Sequence, residues 1–248
     1  MSTPPKVVVF GATSGMAQQT VRLLAASGAE LVLVGRDPRK LAAVSADARV
    51  RGAGLAEPVA ADLDEPSRFD ELVAGAFGRL GSVDLVIVAQ GLLGDSRGCD
   101  RDGALAARVL QTNFTAPVLL LERVAARMAD QGSGTIVAIA SVAGDRGRQS
   151  NYVYGAAKGG LATYLAGLRN RLFRSGIHVV TVKPGLVDTP MTADLPRRRP
   201  TVPPSAVAVA ILRAVRRRAD VVYVPGFWRP IMWMVRHVPE RMFKRMRL

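Results

Sequence analysis

The stretch that decides the fold is Val7-Val8-Val9-Phe10-Gly11-Ala12-Thr13-Ser14-Gly15-Met16-Ala17, where a short apolar run leads into a glycine-containing turn. A continuous apolar run is typical of a strand that is buried on both faces. The turn is placed to open a helix, and its glycines let the backbone approach a pyrophosphate at the helix N-terminus. The stretch predicts a dinucleotide-binding turn, although a tight strand-to-helix turn without a cofactor would use the same residues.

Similar apolar runs recur along the chain, with segments between them that are long enough for crossover helices. The runs cover 7–10, 31–34, 58–61, 85–88, 135–139, 179–182 and 221–224, and the helical segments cover 20–27, 67–79, 104–128, 153–174 and 205–218. This alternation is typical of a parallel sheet. We predict an α/β, single-domain Rossmann fold over residues 1–226, with a doubly wound seven-stranded parallel sheet and helices on both faces. A basic amphipathic helical tail follows over residues 227–248 (the tail).

Composition narrows the class of protein. The 248 residues are 49% hydrophobic and 22% charged, which suffices for a globular core. Cys99 is the only cysteine, so no intrachain disulfide or multi-thiolate metal site is expected, and the isolated His178 and His237 make no metal site. Neither a secretory signal nor a run approaching roughly 18 apolar residues is seen. We expect a cytoplasmic protein.

The positive charge is concentrated at the C-terminal end. The formal net charge is +14, and residues 190–248 carry thirteen Arg and Lys against three acidic residues. Such asymmetry indicates an anionic partner. The partner could be membrane lipid, a phosphorylated substrate or nucleic acid, and charge alone cannot choose among them. Within this region, Arg197-Arg198-Arg199-Pro200 and the residues up to Pro204 are a candidate mobile lid, or an ordinary solvated loop.

Residues after the second, third and fourth predicted strands bear on the adenosine end of a cofactor. Asp37 would favour the ribose hydroxyls of NAD, whereas Arg36 could receive the 2′-phosphate of NADP, or be solvated. We favour NADP(H), with NAD(H) as the alternative. Asp62 is positioned to meet the adenine amino group, and Ala89 and Gly91 can line the adenosine side.

Four polar side chains form a candidate acid–base set. Tyr154 and Lys158 are four residues apart, on one helix face, and an ammonium near a phenol lowers the pKa of the phenol toward working pH. Ser141 lies thirteen residues before Tyr154, where its hydroxyl could orient a substrate oxygen. Asn113 could hold a water in a proton relay. A Tyr-x-x-x-Lys pair alone is more often a surface pair, so the combination carries the prediction.

These motifs occur in one order with Ala89-Gln90-Gly91 and Pro184-Gly185-x-Val187-x-Thr189. Over about residues 6 to 225, the chain resembles the classical short-chain dehydrogenase/reductase family. The resemblance implies that Tyr154 donates the proton in carbonyl reduction, that Lys158 bonds the nicotinamide ribose, that Ser141 holds the carbonyl and that Asn113 supports the relay. The implied cofactor-binding residues are Gly11, Thr13, Ser14, Gly15, Met16, Arg36, Asp62, Leu63, Ala89, Gly91, Tyr154, Lys158, Pro184, Gly185, Val187 and Thr189.

Two departures from the family pattern concern the cofactor. Ala17 replaces the usual third glycine, and Gln90 stands where the family commonly has Asn. Neither removes a catalytic group. The resemblance also implies a homodimer or homotetramer formed through the helices at 104–128 and 153–174.

Other stretches resemble one subgroup, the decaprenylphosphoryl-2-keto-ribose reductases. They cover 91–95, 143–146, 151–154 and, in the C-terminal region, 224–244. The resemblance implies reduction of the 2-keto group of a polyprenylphosphoryl pentofuranose in arabinan (cell wall) precursor synthesis, beside an oxidase partner. A soluble ketone or acyl substrate is the alternative within the family. A non-enzymatic dinucleotide sensor or basic binding protein is the alternative of another class, against which the intact Ser141, Tyr154 and Lys158 argue.

The tail combines aromatic, methionine and basic residues. It holds Trp228 and Trp233, which are both of the tryptophans, four of the eight methionines and six basic residues. This mixture suits a bilayer interface, or the surface of a second subunit. We expect a peripheral contact at the inner membrane face and no nucleic acid. Arg146, Arg148 and the Arg197–Arg199 run could gather a substrate phosphate, or be solvated.

Overall fold

The structure is a computed structural model that describes residues 3–94, 96–193 and 201–246. Its strands are β1 (Lys6–Phe10), β2 (Glu30–Gly35), β3 (Leu55–Ala60), β4 (Leu85–Val88), β5 (Gly134–Ile139), β6 (Ile177–Pro184) and β7 (Val221–Val224). They form one sheet in the order β3-β2-β1-β4-β5-β6-β7, and each neighbouring pair is parallel. The predicted seven-stranded parallel sheet is confirmed.

The central strands are buried on both faces, as their continuous apolar runs predict. In β1, Val7 pairs with Leu31 on one side and Leu85 on the other, and Val7 to Phe10 are fully buried. The edge strand β3 begins three residues earlier than predicted. Of its residues only Ala56 is buried, whereas Pro58 and Ala60 are exposed, and it tolerates Pro58 because an edge strand can lack one ladder donor.

Helices cover both faces of the sheet. They are α1 (Gly15–Ala25), α2 (Pro38–Val50), α3 (Phe69–Leu80), α4 (Ser96–Cys99), α5 (Gly103–Leu110), α6 (Ala116–Gln131), α7 (Tyr152–Leu172), α8 (Pro204–Arg217), α9 (Trp228–His237) and α10 (Glu240–Phe243). The core on one face contains side chains of α3, α6 and α7, and the core on the other contains side chains of α1, α2 and α8. The doubly wound arrangement is therefore confirmed.

Helix α2 was missed by the apolar pattern because its outer face is polar. Asp37 caps it, since Asp37 Oδ1 accepts hydrogen bonds from the backbone nitrogens of Arg39 at 3.0 Å and Lys40 at 3.1 Å. Pro38 occupies its first turn, and Leu41 is fully buried beneath it.

The predicted helix at 104–128 is interrupted by a π-helical turn. The turn covers Gln111–Thr115, between α5 and α6, and contains Asn113. The whole span Gly103–Gln131 is long and apolar enough to cross a membrane by length and composition alone. This is weak evidence, because the core helix of a soluble protein passes the same test; Leu120, Leu121 and Val124 are fully buried.

Parallel strands place all their carboxyl ends at one edge of the sheet. From β1 the chain adds β2 and β3 on one side and then returns to add β4 to β7 on the other side, so the strand order reverses between β1 and β4. Ligands of open α/β sheets bind at such a switch point. The predicted lid arginines, 197–199, lie outside the described residues. Beyond them, Val202 bridges Val187 and so ties the start of α8 to the segment after β6.

Candidate active site

The glycine turn after β1 has a backbone that only glycine suits. Gly11 has a φ of +79°, and the backbone nitrogens of Gly11 and Ala12 both donate to the carbonyl of Val34 at 2.9 Å. A Cβ on Gly11 would lie 2.7 Å from the backbone nitrogen of Gln90. The turn is therefore pressed against the segment that follows β4.

The rest of the turn begins α1. The Ser14 hydroxyl accepts a hydrogen bond from the Ala17 nitrogen at 3.2 Å and so caps the helix. Ala17, at the position where the family has glycine, is fully buried in the core, so its methyl group is accommodated by packing. Met16 packs partly buried against the same core, and Thr13 lies beside Gly35.

The segment after β6 returns to this turn. A Cβ on Gly15 would lie 3.3 Å from Thr189 Cγ2, so Gly15 and Thr189 are neighbours. Val187, between β6 and Thr189, is buried, as is Pro184 at the end of β6. The structure thus brings together the glycine turn and the residues predicted to border the nicotinamide.

At the predicted adenosine end, Arg36 and Asp62 lie side by side. Arg36 Nη1 is 3.9 Å from Asp62 Oδ2, and the Arg36 side chain is 69% exposed. Asp37, the residue that could have served the ribose hydroxyls of NAD, is engaged as the cap of α2. Of the two charged residues that follow β2, Arg36 is therefore the one whose side chain is available to a ligand.

The residues after β4 fit a bound adenosine. The Ala89 nitrogen donates to the Phe10 carbonyl at 2.8 Å, and Gln90 Nε2 donates to the Leu63 carbonyl at 3.3 Å. Gln90 Oε1 is buried and accepts no hydrogen bond from any residue within the described ranges. Because buried polar atoms normally have partners, this acceptor suits a donor on a ligand such as an adenine amino group.

Gly91 lies close to both Asn113 and Lys158 of the candidate acid–base set. A Cβ there would lie 3.2 Å from Asn113 Oδ1, 3.6 Å from Lys158 Nζ and 3.9 Å from Met191 Cε. Only glycine leaves this space open. Met191, on the 3₁₀ turn Pro190–Thr192, was missed, because a lone methionine carries no recognisable pattern in the sequence.

Asn113 is fully buried and its amide is fully used. Its Oδ1 accepts from the Leu92 nitrogen at 3.2 Å, and its Nδ2 donates to the carbonyls of Leu92 at 2.6 Å and Val109 at 2.8 Å. These bonds tie the segment after β4 to the π-helical turn. The contacts therefore support a positioning role for Asn113, and its part in a proton relay stays a prediction.

The Ser141 side chain lies close to the Tyr154 hydroxyl and stabilises its phenolate form. A small pocket, lined by Leu93, Cys99 and residues 151–154, lies beside Tyr154. Burial raises the pKa of Tyr154, and Ser141 opposes this rise only partly. The expectation that Lys158 lowers this pKa is therefore wrong for the protein without ligands.

Lys158 is buried as well. It is 3% exposed, its Nζ donates to the Ile139 carbonyl at 2.9 Å, and it lies 6.0 Å from the centroid of the Tyr154 ring. Burial lowers the pKa of Lys158 to about 8. The ammonium is thus only partly populated above pH 8, and burial, not Lys158, sets the direction of the Tyr154 pKa shift.

Arg146 holds the tail instead of facing solvent, which corrects its predicted role as a phosphate ligand. Its guanidinium donates to the carbonyls of Val235 at 2.8 Å, Arg236 at 3.2 Å and Val238 at 2.5 Å, and to Glu240 at 2.8 Å. The first three groups lie at the C-terminal end of α9. Arg146 therefore joins α9 to the loop Ser141–Arg146 (the Ser141 loop).

A second buried cluster, which sequence reasoning missed, supports the same loop. Asp145 is 2% exposed at its side chain, forms an ion pair of 2.5 Å with Lys183 and accepts a hydrogen bond of 2.9 Å from the Tyr223 hydroxyl. The available signal was Lys183 itself, a charged residue inside an apolar strand. The cluster fastens the Ser141 loop to β6 and β7.

In the described part of the chain, no group of three or more His, Cys, Asp or Glu side chains could hold a metal ion.

Comparisons with known proteins agree with this geometry. Residues 5–200 match the family described as short chain dehydrogenase. An uncharacterized oxidoreductase of Mycobacterium tuberculosis is 35% identical over 97% of this chain and 96% of its own length. An uncharacterized oxidoreductase of Streptomyces coelicolor is 36% identical over 99% of this chain and 97% of its own length.

Solved structures show the same fold. Actinorhodin polyketide ketoreductase with NADPH has a TM-score of 0.81 and 26% identity, over 90% of this chain and 97% of its own. Levodione reductase has a TM-score of 0.80 and 25% identity, over 91% of this chain and 98% of its own. The chain therefore belongs to the short-chain dehydrogenase family and is an NAD(P)-dependent oxidoreductase.

Proposed function

We propose that this oxidoreductase reduces the 2-keto group of a polyprenylphosphoryl pentofuranose with NADPH, a step in arabinan precursor synthesis for a cell wall. The observation that carries the proposal is the attachment of the tail to the Ser141 loop by Arg146. A surface able to meet lipid thus lies beside the candidate acid–base group, where a lipid-linked sugar has to enter.

In the proposed reaction, Tyr154 donates its proton to the carbonyl oxygen while the carbonyl carbon receives a hydride. The bound reduced nicotinamide supplies that hydride. Ser141, which lies close to the Tyr154 hydroxyl, orients the carbonyl oxygen. Lys158 is positioned near Gly91 to bond the nicotinamide ribose, and a cation there would favour the phenolate that forms when the proton leaves.

Two observations support NADP(H) over NAD(H). Asp37 caps α2, which keeps its carboxylate bonded to backbone nitrogens. The exposed Arg36 guanidinium can bind a 2′-phosphate bidentately. NAD(H) stays the alternative.

The outward face of the tail supports docking on an anionic bilayer. Its exposed apolar side chains are Phe227, Trp233, Met234, Met242 and Met246. Exposed basic residues, Arg229, Arg236, Arg241, Lys244 and Arg245, lie among them. Aromatic rings at headgroup level and cations on lipid phosphates are the usual interfacial contacts. We therefore propose a cytoplasmic enzyme with the tail, residues 227–248, placed peripherally on the inner membrane face.

The substrate is tested with purified protein, NADPH or NADH, and a synthetic polyprenylphosphoryl 2-keto-pentofuranose. We expect nicotinamide oxidation with NADPH, and a loss of at least about a hundredfold in kcat for Tyr154→Phe with cofactor affinity retained. Absence of turnover while both cofactors bind would overturn the lipid-linked substrate.

Membrane docking is tested by cosedimentation of the full chain with phosphatidylglycerol/phosphatidylcholine vesicles. We expect binding that weakens with salt and with Trp233→Ala, and little binding to pure phosphatidylcholine. The matched control is Phe173→Ala, an exposed aromatic position outside the tail. Concentration-dependent self-association that is lost in Trp233→Ala, without vesicle binding, would assign the tail to a second subunit instead.

A soluble ketone is the second candidate substrate. It is favoured by the similarity of this chain to a polyketide ketoreductase and a levodione reductase. Turnover of a water-soluble cyclic ketone at rates above those for the lipid-linked sugar would support it.

We further propose that the protein forms a homodimer or homotetramer, which light scattering tests. We also propose an oxidase partner that makes the ketone, which copurification tests.

A further inference from the structure

The indole of Trp228 lies directly over Gly185, the residue that follows β6. A Cβ on Gly185 would lie 2.0 Å from Trp228 Nε1, 2.6 Å from Cε2 and 2.8 Å from Cδ1. These three atoms form the edge of the ring that carries the N–H. The part of the ring around Nε1 therefore packs against Gly185, and a side chain at position 185 would displace the ring.

The Trp228 N–H is buried and finds no acceptor in residues 3–94, 96–193 or 201–246. Neighbouring backbone groups are already engaged, since the Val224 carbonyl accepts from the Gly185 nitrogen at 2.9 Å and the Pro225 carbonyl accepts from the Trp228 nitrogen at 3.1 Å. Buried indole N–H groups normally have an acceptor. This donor is thus suited to an acceptor that arrives with a ligand.

Its position in the fold leads to the site. Pro184 and Gly185 are proposed to border the nicotinamide, and Thr189, on the same segment, contacts Gly15 of the glycine turn. Helix α9, which begins at Trp228, is held on the Ser141 loop by Arg146. Helix α9 therefore connects the segment after β6, which Trp228 contacts, with the Ser141 loop, which Arg146 holds at the other end of the helix.

We propose that Trp228 donates a hydrogen bond from Nε1 to an oxygen of a ligand bound beside Gly185, and that Trp228 is a specificity-determining residue. The partner is an oxygen acceptor because an indole N–H can only donate. The nicotinamide carboxamide and the ketone substrate both carry such an oxygen. The inference rests on the proposed function, since a dinucleotide has to bring its nicotinamide to Gly185.

Because the chain has two tryptophans, Trp233→Phe leaves Trp228 with the only indole N–H. The ¹⁵N-labelled Trp233→Phe protein should show one indole resonance, which the double variant with Trp228→Phe lacks. NADPH is added to one sample, and NADP⁺ with the polyprenylphosphoryl 2-keto-pentofuranose to another. A downfield shift of the indole proton with NADPH assigns the acceptor to the carboxamide, and a shift that requires the ketone assigns it to the substrate.

Kinetics give the second measurement. Trp228→Phe keeps an aromatic ring and removes the N–H, so we expect a roughly three- to tenfold rise in the Kd for NADPH or in the KM for the ketone. If NADPH binds but the resonance stays still in both complexes, and Trp228→Phe changes neither constant, the inference is overturned. If NADPH itself does not bind, the proposed dinucleotide site fails and the inference fails with it.

Discussion

The guanidinium carbon of Arg146 lies 3.8 Å from the centroid of the Phe243 ring, while its nitrogens bond the end of α9. Arg146, the last residue of the Ser141 loop, thus touches α10, the last helix of the tail. Stacking and hydrogen bonding by one side chain make the tail and the Ser141 loop a single packed unit.

Replacing Arg146 should loosen that unit. Arg146→Ala removes charge-assisted hydrogen bonds and should lower the free energy of unfolding by about 2 kcal/mol, which corresponds to a fall in Tm of roughly 4 to 8 °C. Urea unfolding and limited proteolysis of the tail measure the effect. Arg241→Ala, an exposed arginine of the same tail, is the control, and equal effects of the two variants would contradict this assignment.

The Asp145 cluster should be sensitive to loss of one partner. Asp145→Ala leaves the Lys183 ammonium buried without its carboxylate and should cost about 3 kcal/mol, whereas Tyr223→Phe removes one hydrogen bond and should cost about 1 kcal/mol. Denaturant unfolding compares them. The double variant Asp145→Leu, Lys183→Met should recover much of the loss; a double variant as unstable as Asp145→Ala would argue against a buried charge as the cause.

Lys158 should make stability depend on pH. Its pKa is about 8 in the folded protein and 10.5 in the unfolded chain, so the unfolded chain binds more protons between these values. The ammonium form therefore destabilises the fold fully below pH 8, and this cost disappears as the pH rises to 10.5. Lys158→Met should be more stable than the wild type by roughly 2 kcal/mol at pH 7, after loss of the bond to Ile139.

The measurement is the unfolding free energy of both proteins from pH 7 to pH 10.5, without cofactor. The gap between them should close with rising pH, and a gap that is constant over this range would mean that Lys158 is not desolvated. Turnover should be lost in Lys158→Met at every pH.

Arg36 should decide between the two cofactors. Arg36→Ala should raise the Kd for NADPH about ten- to a hundredfold, because a charged hydrogen-bond donor to phosphate is lost. The Kd for NADH should stay unchanged, so it serves as the internal control in a fluorescence titration. Equal weakening of both cofactors would assign Arg36 to the fold rather than to the 2′-phosphate.

The glycine turn can be tested against a glycine that has space. Gly11→Ala puts a Cβ 2.7 Å from Gln90 at a positive φ, so it should lower Tm and weaken NADPH binding at least about tenfold. A Cβ on Gly78, on the exposed face of α3, would meet no neighbouring atom within 4 Å, and Gly78→Ala should stabilise by about 0.5 to 1 kcal/mol. Similar effects of both variants would refute the close-packed turn.

Local apolar patterns were sufficient to predict the ends of a strand that is buried along its whole length. Strand β4 begins and ends where its apolar run does, because a strand buried on both faces has to be continuously apolar. Edge strand β3, which contains Glu57 and exposed residues, and helix α2, whose outer face is polar, depart from these patterns. That Tyr154 and Lys158 lie on one face of α7 likewise follows from their four-residue spacing, because residues i and i+4 are neighbours on a helix.

The sequence by itself therefore determined the Rossmann fold, the family and the order of the candidate site residues, because these depend on local periodicity and on motifs at strand ends. Tertiary structure decided the direction of the Tyr154 pKa shift, since that depends on how deeply the phenol is buried. It also decided that Arg146 binds the tail and that Trp228 lies over Gly185. Those contacts join residues that are distant along the chain, and only the packing of the folded protein brings them together.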